Sequence, residues 1–145
     1  MRRALIPLLL AAAACGGGAA ADTASAAGNA STSASAATLS WDASAITPQM
    51  IALGDSLFHG QIGAASCQAC HGATADQGTV APNLRDKEWL HSDGSWEGIH
   101  TTIKSGVMTP KQFSSIMPPF GGFPMTIEQS RAVSAYVYSL SHPVP

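Results

Sequence analysis

The stretch "CQACH", Cys67–His71, decides how the rest of the chain is read. Two thiols two residues apart, with an imidazole directly after the second, form the attachment signature of c-type haem. The gap lets both thiols reach the two vinyl groups of one porphyrin as thioethers. His71 then stands where its ring can reach the iron as a ligand. Other uses of these residues need features the chain lacks. A redox CxxC of the thioredoxin kind belongs in an alternating strand–helix pattern, which is absent. A structural zinc needs two more Cys or His ligands at close spacing, and there is no second CxxC and no HxxxH. A plain disulfide stays open, because the start of the chain reads as an export signal and export favours oxidation.

That start is "MRRALIPLLLAAAACGGG". Two arginines precede an apolar run from Ala4 to Ala14 and then small residues, the order of a secretory signal peptide. The run falls short of the roughly 20 apolar residues that span a bilayer. A cysteine directly after the run resembles a bacterial lipoprotein signal, in which cleavage leaves a lipidated cysteine, here Cys15. That family pattern prefers leucine three residues earlier, where this chain has Ala12. An ordinary signal cut further along, for example after "ADTASA", is the alternative, and both versions export the protein. The division is therefore 1–14 as signal peptide, 15–44 as flexible tether and 45–145 as folded domain. Residues 16–40 are almost wholly Gly, Ala, Ser, Thr and Asn, and cannot bury enough surface to offset their ordering entropy.

The chain has 145 residues, of which 11% are charged and 6% aromatic. Without Arg2 and Arg3, five Lys+Arg face nine Asp+Glu. A mildly acidic mature chain disfavours nucleic acid as a partner. The domain must bury a small core, which is only modestly stable alone. Three helices are expected. Thr47 and Pro48 open the first, with Met50, Leu53 and Leu57 at helical spacing and Gly60 at its end. Ser95 or Asp93 caps the second, which carries Trp96, Ile99 and Ile103 and stops at Gly106. A Thr126/Gln129 capping box opens the third, whose stripe is Ile127, Val133, Tyr136, Val137 and Leu140. Asp86–Leu90 offers one further short turn. No alternating strand run appears. Loops this long in so small a domain need an internal organiser, and a bound haem is one.

Residues 46–142 resemble a class I cytochrome c domain of the small bacterial kind. The resemblance rests on Gly54 and Phe58 in "GDSLFHG", the haem motif "CQACHG", "APNL" at Ala81–Leu84, "MPPFGG" at Met117–Gly122 and "AVSAYVYSL" with Tyr136, all in family order. It implies an all-α cytochrome c fold of three to four short helices and long loops around one covalent haem c, with the first and last helices crossing. It implies electron transfer as the function. It also carries over Pro82, whose carbonyl would accept the imidazole N–H of His71 and so orient the ring.

The sixth iron ligand decides the chemistry. A thioether across from histidine raises the reduction potential and closes the iron to outside ligands. Met50 belongs to a core stripe, Met108 follows the Trp96 helix, and Met125 precedes the Thr126 cap. Met117 stands apart. Pro118 drives it into an extended conformation and Pro119 prolongs the restraint. Gly121 and Gly122 allow the turn that follows, and Phe120 and Phe123 are expected near the porphyrin edge. His59, His91, His100 and His142 are the rival ligands, His100 foremost because it lies on an amphipathic helix.

The expected function is that of an exported mono-haem one-electron carrier, not itself an enzyme, working between a dehydrogenase or reductase and an oxidase. It would be periplasmic, or held on the membrane through Cys15. The alternatives are a haem ligand-binding or sensing protein or small peroxidase with an open sixth site, and an exported disulfide protein without haem.

Overall fold

The computed structural model describes residues 39–76 and 78–144. Among them the regular structure is helical, with one isolated antiparallel bridge between Val107 and Met117. The elements are a 3-10 turn Ala43–Ala45, α1 Pro48–Phe58, α2 Gln68–His71, α3 Trp96–Ser105, a second 3-10 turn Pro119–Gly122, and α4 Ile127–Ser139. None of the described helices is long and apolar enough to cross a membrane.

Each main helix starts where its cap dictates. Thr47 accepts from the Met50 N–H with Pro48 at the first position, and Ser95 accepts from Gly98. Thr126 and Gln129 form the reciprocal capping box. Gly106, at φ 70°, ends α3. The expected turn over Asp86–Leu90 does not form a helix. Asp86 instead spends its carboxylate on the Glu88 N–H, a local bond that competes with helix formation.

The crossing of α1 and α4 is set by Gly54. A Cβ there would overlap the Ala132 carbonyl and come within 2.8 Å of Tyr136 Cβ. Only glycine lets these two backbones touch. Leu57, Phe58, Ile99, Ile103, Val133 and Val137 then close one apolar core. Two expected stripe residues lie outside it: Leu53 is 36% and Ile127 42% exposed. On α4 two serines, Ser130 and Ser134, are fully buried instead, and they bond back to the Ile127 and Arg131 carbonyls.

A second cluster gathers Ile46, Trp96 and Ala135. Trp41 packs edge-on against Trp96 at 5.2 Å, and the Arg131 guanidinium lies over both rings at 4.2 and 4.5 Å. Arg131 also donates to the Ser40 carbonyl at 2.9 Å. Residues 40–44, assigned from composition to the tether, are therefore part of the fold. One tryptophan with a cationic partner outweighs the small residues around it.

Candidate functional site

Helix α2 carries the CQACH motif. Cys67 is its N-cap, His71 its last residue, and Gly72 at φ 84° breaks it off. Residues three apart share a helix face, so both thiols reach the same side. Cys67 and Cys70 form no disulfide with each other and line one cleft together with His71. Burial pushes the Cys67 thiol up to about 11. A redox-active CxxC needs the reverse, a thiol lowered by nearby positive charge.

His71 is buried, and its Nδ1 donates to the Pro82 carbonyl at 2.9 Å. A carbonyl only accepts, so Nδ1 holds the proton and Nε2 keeps a lone pair. Burial pushes the His71 pKa below its ordinary value, against the opposing pull of the Pro82 bond. A neutral imidazole with a free Nε2 is the form that binds a metal.

The turn after the motif is held closely. Ala75, fully buried at φ 61°, accepts from the Leu84 N–H at 2.8 Å and so draws the Pro82 loop back onto the motif. Gly78 lies against the motif backbone, and a Cβ there would approach His71 Cα to 2.8 Å. His59, at the end of α1, reaches the Ala73 carbonyl with Nε2 at 2.8 Å while Nδ1 meets Asp55. Sequence reasoning missed Gly78 and His59 as supports, since both contacts depend on how distant segments meet.

Met117 lines the same cleft. Its backbone is pinned on both sides to Val107: Val107 N–H donates to Met117 O at 2.7 Å, and Met117 N–H to Val107 O at 3.0 Å. Pro118 follows in an extended conformation, and Phe120 and Gly121 turn the chain at positive φ. The other methionines are elsewhere. Met50 packs against the Trp96 cluster, Met125 against the main core, and Met108 is 61% exposed. The aromatic walls of the cleft are Phe58, Trp89 and Phe113. Phe120, expected at the porphyrin edge, does not line the cleft and packs against the same core as Met117.

The rival histidines have other partners. His100 is buried between Ser130 Oγ, at 3.0 Å, and the Trp41 ring. His142 stacks on Tyr138. His91 does line the cleft, but its Nε2 accepts from the Lys111 N–H at 3.4 Å. Among the described residues no three His, Cys, Asp or Glu side chains are grouped to hold a metal ion by themselves. The cleft does fit a haem: two thiols at the attachment spacing, an imidazole with Nε2 free, a thioether on the same cleft, and apolar walls.

Residues 59–137, more than half the chain, match the family described as cytochrome c oxidase, cbb3-type, subunit III. Over 100 residues the chain is 38% identical to the cbb3-type cytochrome c oxidase subunit CcoP of Rubrivivax gelatinosus, covering 69% of this chain and 29% of the relative. It is 50% identical over 44 residues to the corresponding subunit of Rhodobacter capsulatus, 30% of this chain and 14% of that one. The chain thus spans under a third of the length of these relatives. A solved structure, cytochrome CL of Methylophaga aminisulfidivorans, is similar over 65% of this chain and 55% of its own, at 24% identity and a TM-score of 0.49. The chain belongs to the cbb3-type subunit III family and is a c-type cytochrome domain, an all-α electron-transfer unit built on covalently bound haem c.

Proposed function

We propose that this domain is a one-electron carrier in which Cys67 and Cys70 would hold the haem through thioethers and His71 and Met117 would ligate its iron. The observation that carries the proposal is the single cleft shared by the motif thiols, the His71 ring and Met117. When bound, the haem supplies an iron that cycles between ferric and ferrous states. The chain's own residues do the rest. Pro82 O fixes the His71 tautomer and ring plane, and keeps the ligand basic. Phe58, Trp89 and Phe113 exclude water, which favours the state of lower charge. A thioether ligand closes the iron to small molecules and raises its potential.

The relatives are oxidase subunits, and we place this domain as an electron-transfer unit between a reductase or dehydrogenase and an oxidase. Export with Cys15 as a lipid anchor is part of the same proposal. Residues 1–38 lie outside the described residues, so their roles rest on sequence order alone. A tether of about 25 residues would give the domain an r.m.s. reach of roughly 25–30 Å. Cys15→Ser should release the holoprotein from membranes with haem content unchanged. Continued membrane association would remove the lipid anchor from the proposal.

The deciding experiment is a spectroscopic redox titration of the holoprotein and of Met117→Ala. The wild type should show the weak red charge-transfer band of sulfur-ligated ferric haem and resist carbon monoxide. Met117→Ala should lose the band, bind carbon monoxide rapidly and titrate at lower potential. Rapid carbon monoxide binding by the wild type would instead favour a sensor or small peroxidase with an open sixth site.

A further inference from the structure

We infer that Gly106 is a positioning residue for Met117, fixing the thioether through the main chain and not merely ending α3. The inference rests on Met117 being the sixth ligand. Gly106 has φ 70° and ψ −177°, a region that is in effect reserved for glycine. Its missing side chain is where the Met117 loop lies. A Cβ at 106 would overlap the Met117 carbonyl and come within 2.6 Å of Pro119 N and 2.7 Å of Pro118 C. All three are backbone atoms, so no side-chain rotation relieves the overlap.

The next residue completes the seat. Val107 exchanges both of its backbone hydrogen bonds with Met117, at 2.7 and 3.0 Å. Met117 is thus joined to the last turn of α3, whose own inner face, Ile99 and Ile103, lines the cleft. The methionine side chain has no polar partner to hold it. Its sulfur stands where the backbone puts it, and a misplacement of about an ångström is enough to lose a ligand bond. The sequence offers Gly106 only as a helix stop, because the segment it abuts lies eleven residues further on.

The test compares three holoprotein variants: Gly106→Ala, Met117→Ala and Gly63→Ala. Gly63 also has positive φ, at 72°, but a Cβ there meets only Leu57 Cδ2 at 4.0 Å. It therefore reports backbone strain without the overlap. Gly106→Ala should lose the red charge-transfer band and bind carbon monoxide about tenfold faster or more in the ferrous state, corresponding to about 1.4 kcal/mol in the closed–open balance. Gly63→Ala should keep the band. If Met117→Ala keeps the band, the ligand assignment falls and this inference with it. If Met117→Ala loses the band while Gly106→Ala keeps it, only the role of Gly106 is overturned. Should Gly106→Ala fail to hold haem, amide hydrogen exchange of the wild type decides. Protected Val107 and Met117 N–H groups support the seat, and unprotected ones overturn it.

Discussion

The two segments that bring candidate iron ligands to the cleft are built on different principles. His71 ends a helix, is buried, and is held through its own ring by the Pro82 carbonyl. Behind it lie buried Ala75, closely packed Gly78 and the His59 ring. Met117 sits in an irregular segment whose neighbours Ser114, Ser115, Ile116, Pro118 and Pro119 are exposed. Nothing polar holds its side chain, and two main-chain hydrogen bonds to Val107 hold its backbone. Regions with few buried contacts open at lower free energy than the rest of a fold. The Met117 segment is therefore where the closed site should first give way, while the His71 segment should fail only with the domain.

The sharpest way to break that contrast is Gly78→Val. The new side chain would press on the Cys70 and His71 backbone, where even a Cβ would lie 2.8 Å from His71 Cα. Overpacking of this kind costs about 3 kcal/mol. Haem incorporation and global stability should fall together, measured by Soret absorbance per protein and by denaturant unfolding. A variant that keeps full haem and wild-type stability would show that the His71 segment is not rigidly backed.

A smaller loss should come from Trp41→Ala, which touches neither segment. It removes a ring pair and a cation–π contact with Arg131, together about 2 kcal/mol. Arg131 Nη1 is buried without a hydrogen-bond partner, and the guanidinium is held by its Nη2 bond to the Ser40 carbonyl and by the two rings. Unfolding should shift while the charge-transfer band and potential stay fixed. A changed band would mean that the Trp41 cluster is coupled to Met117 through α3, and the two ligand segments could not then be treated as the only determinants of the site.

What the sequence made legible follows the same division. CQACH, the helix caps and the methionine followed by two prolines are local patterns, readable from neighbouring residues alone. Gly54 could be assigned to the helix crossing because a glycine in a helix interior needs a reason. Gly78 and Gly106 could not be assigned to their neighbours, since each abuts a segment brought close only by the fold. The same holds for the cleft walls. Phe120 and Phe123 stand beside Met117 in sequence, yet the cleft aromatics are Phe58, Trp89 and Phe113. Phe120 takes a left-handed backbone, which composition does not report.

Pro118→Ala tests the Met117 segment by itself. Proline there limits the unfolded chain and keeps Met117 extended. Its loss should cost about 0.4–1 kcal/mol, with faster carbon monoxide binding and no change in haem content. The same small loss of stability with unaltered ligand binding would assign the restraint wholly to the Val107 bridge.

The finest distinction lies in pH, and it concerns His59. Its Nε2 meets the Ala73 carbonyl, and its Nδ1 meets both the Asp55 carbonyl and carboxylate, with Tyr136 alongside. Both ring nitrogens face acceptors, so both bonds are made only by the protonated ring. The Ala73 bond foremost, with Asp55 adding to it, raises the His59 pKa above 6.5 against partial desolvation. A raised pKa means that the folded state binds the proton more tightly. The contribution is then complete below about pH 6.5 and is lost as pH rises through the folded value. Melting temperature should therefore fall slightly more steeply above neutrality in the wild type than in His59→Gln, which cannot titrate. Because Ala73 lies two residues beyond His71, that loss should loosen the His71 segment and leave carbon monoxide exclusion by the Met117 segment unchanged. Equal slopes in the two proteins would show that His59 adds nothing to the backing of the motif.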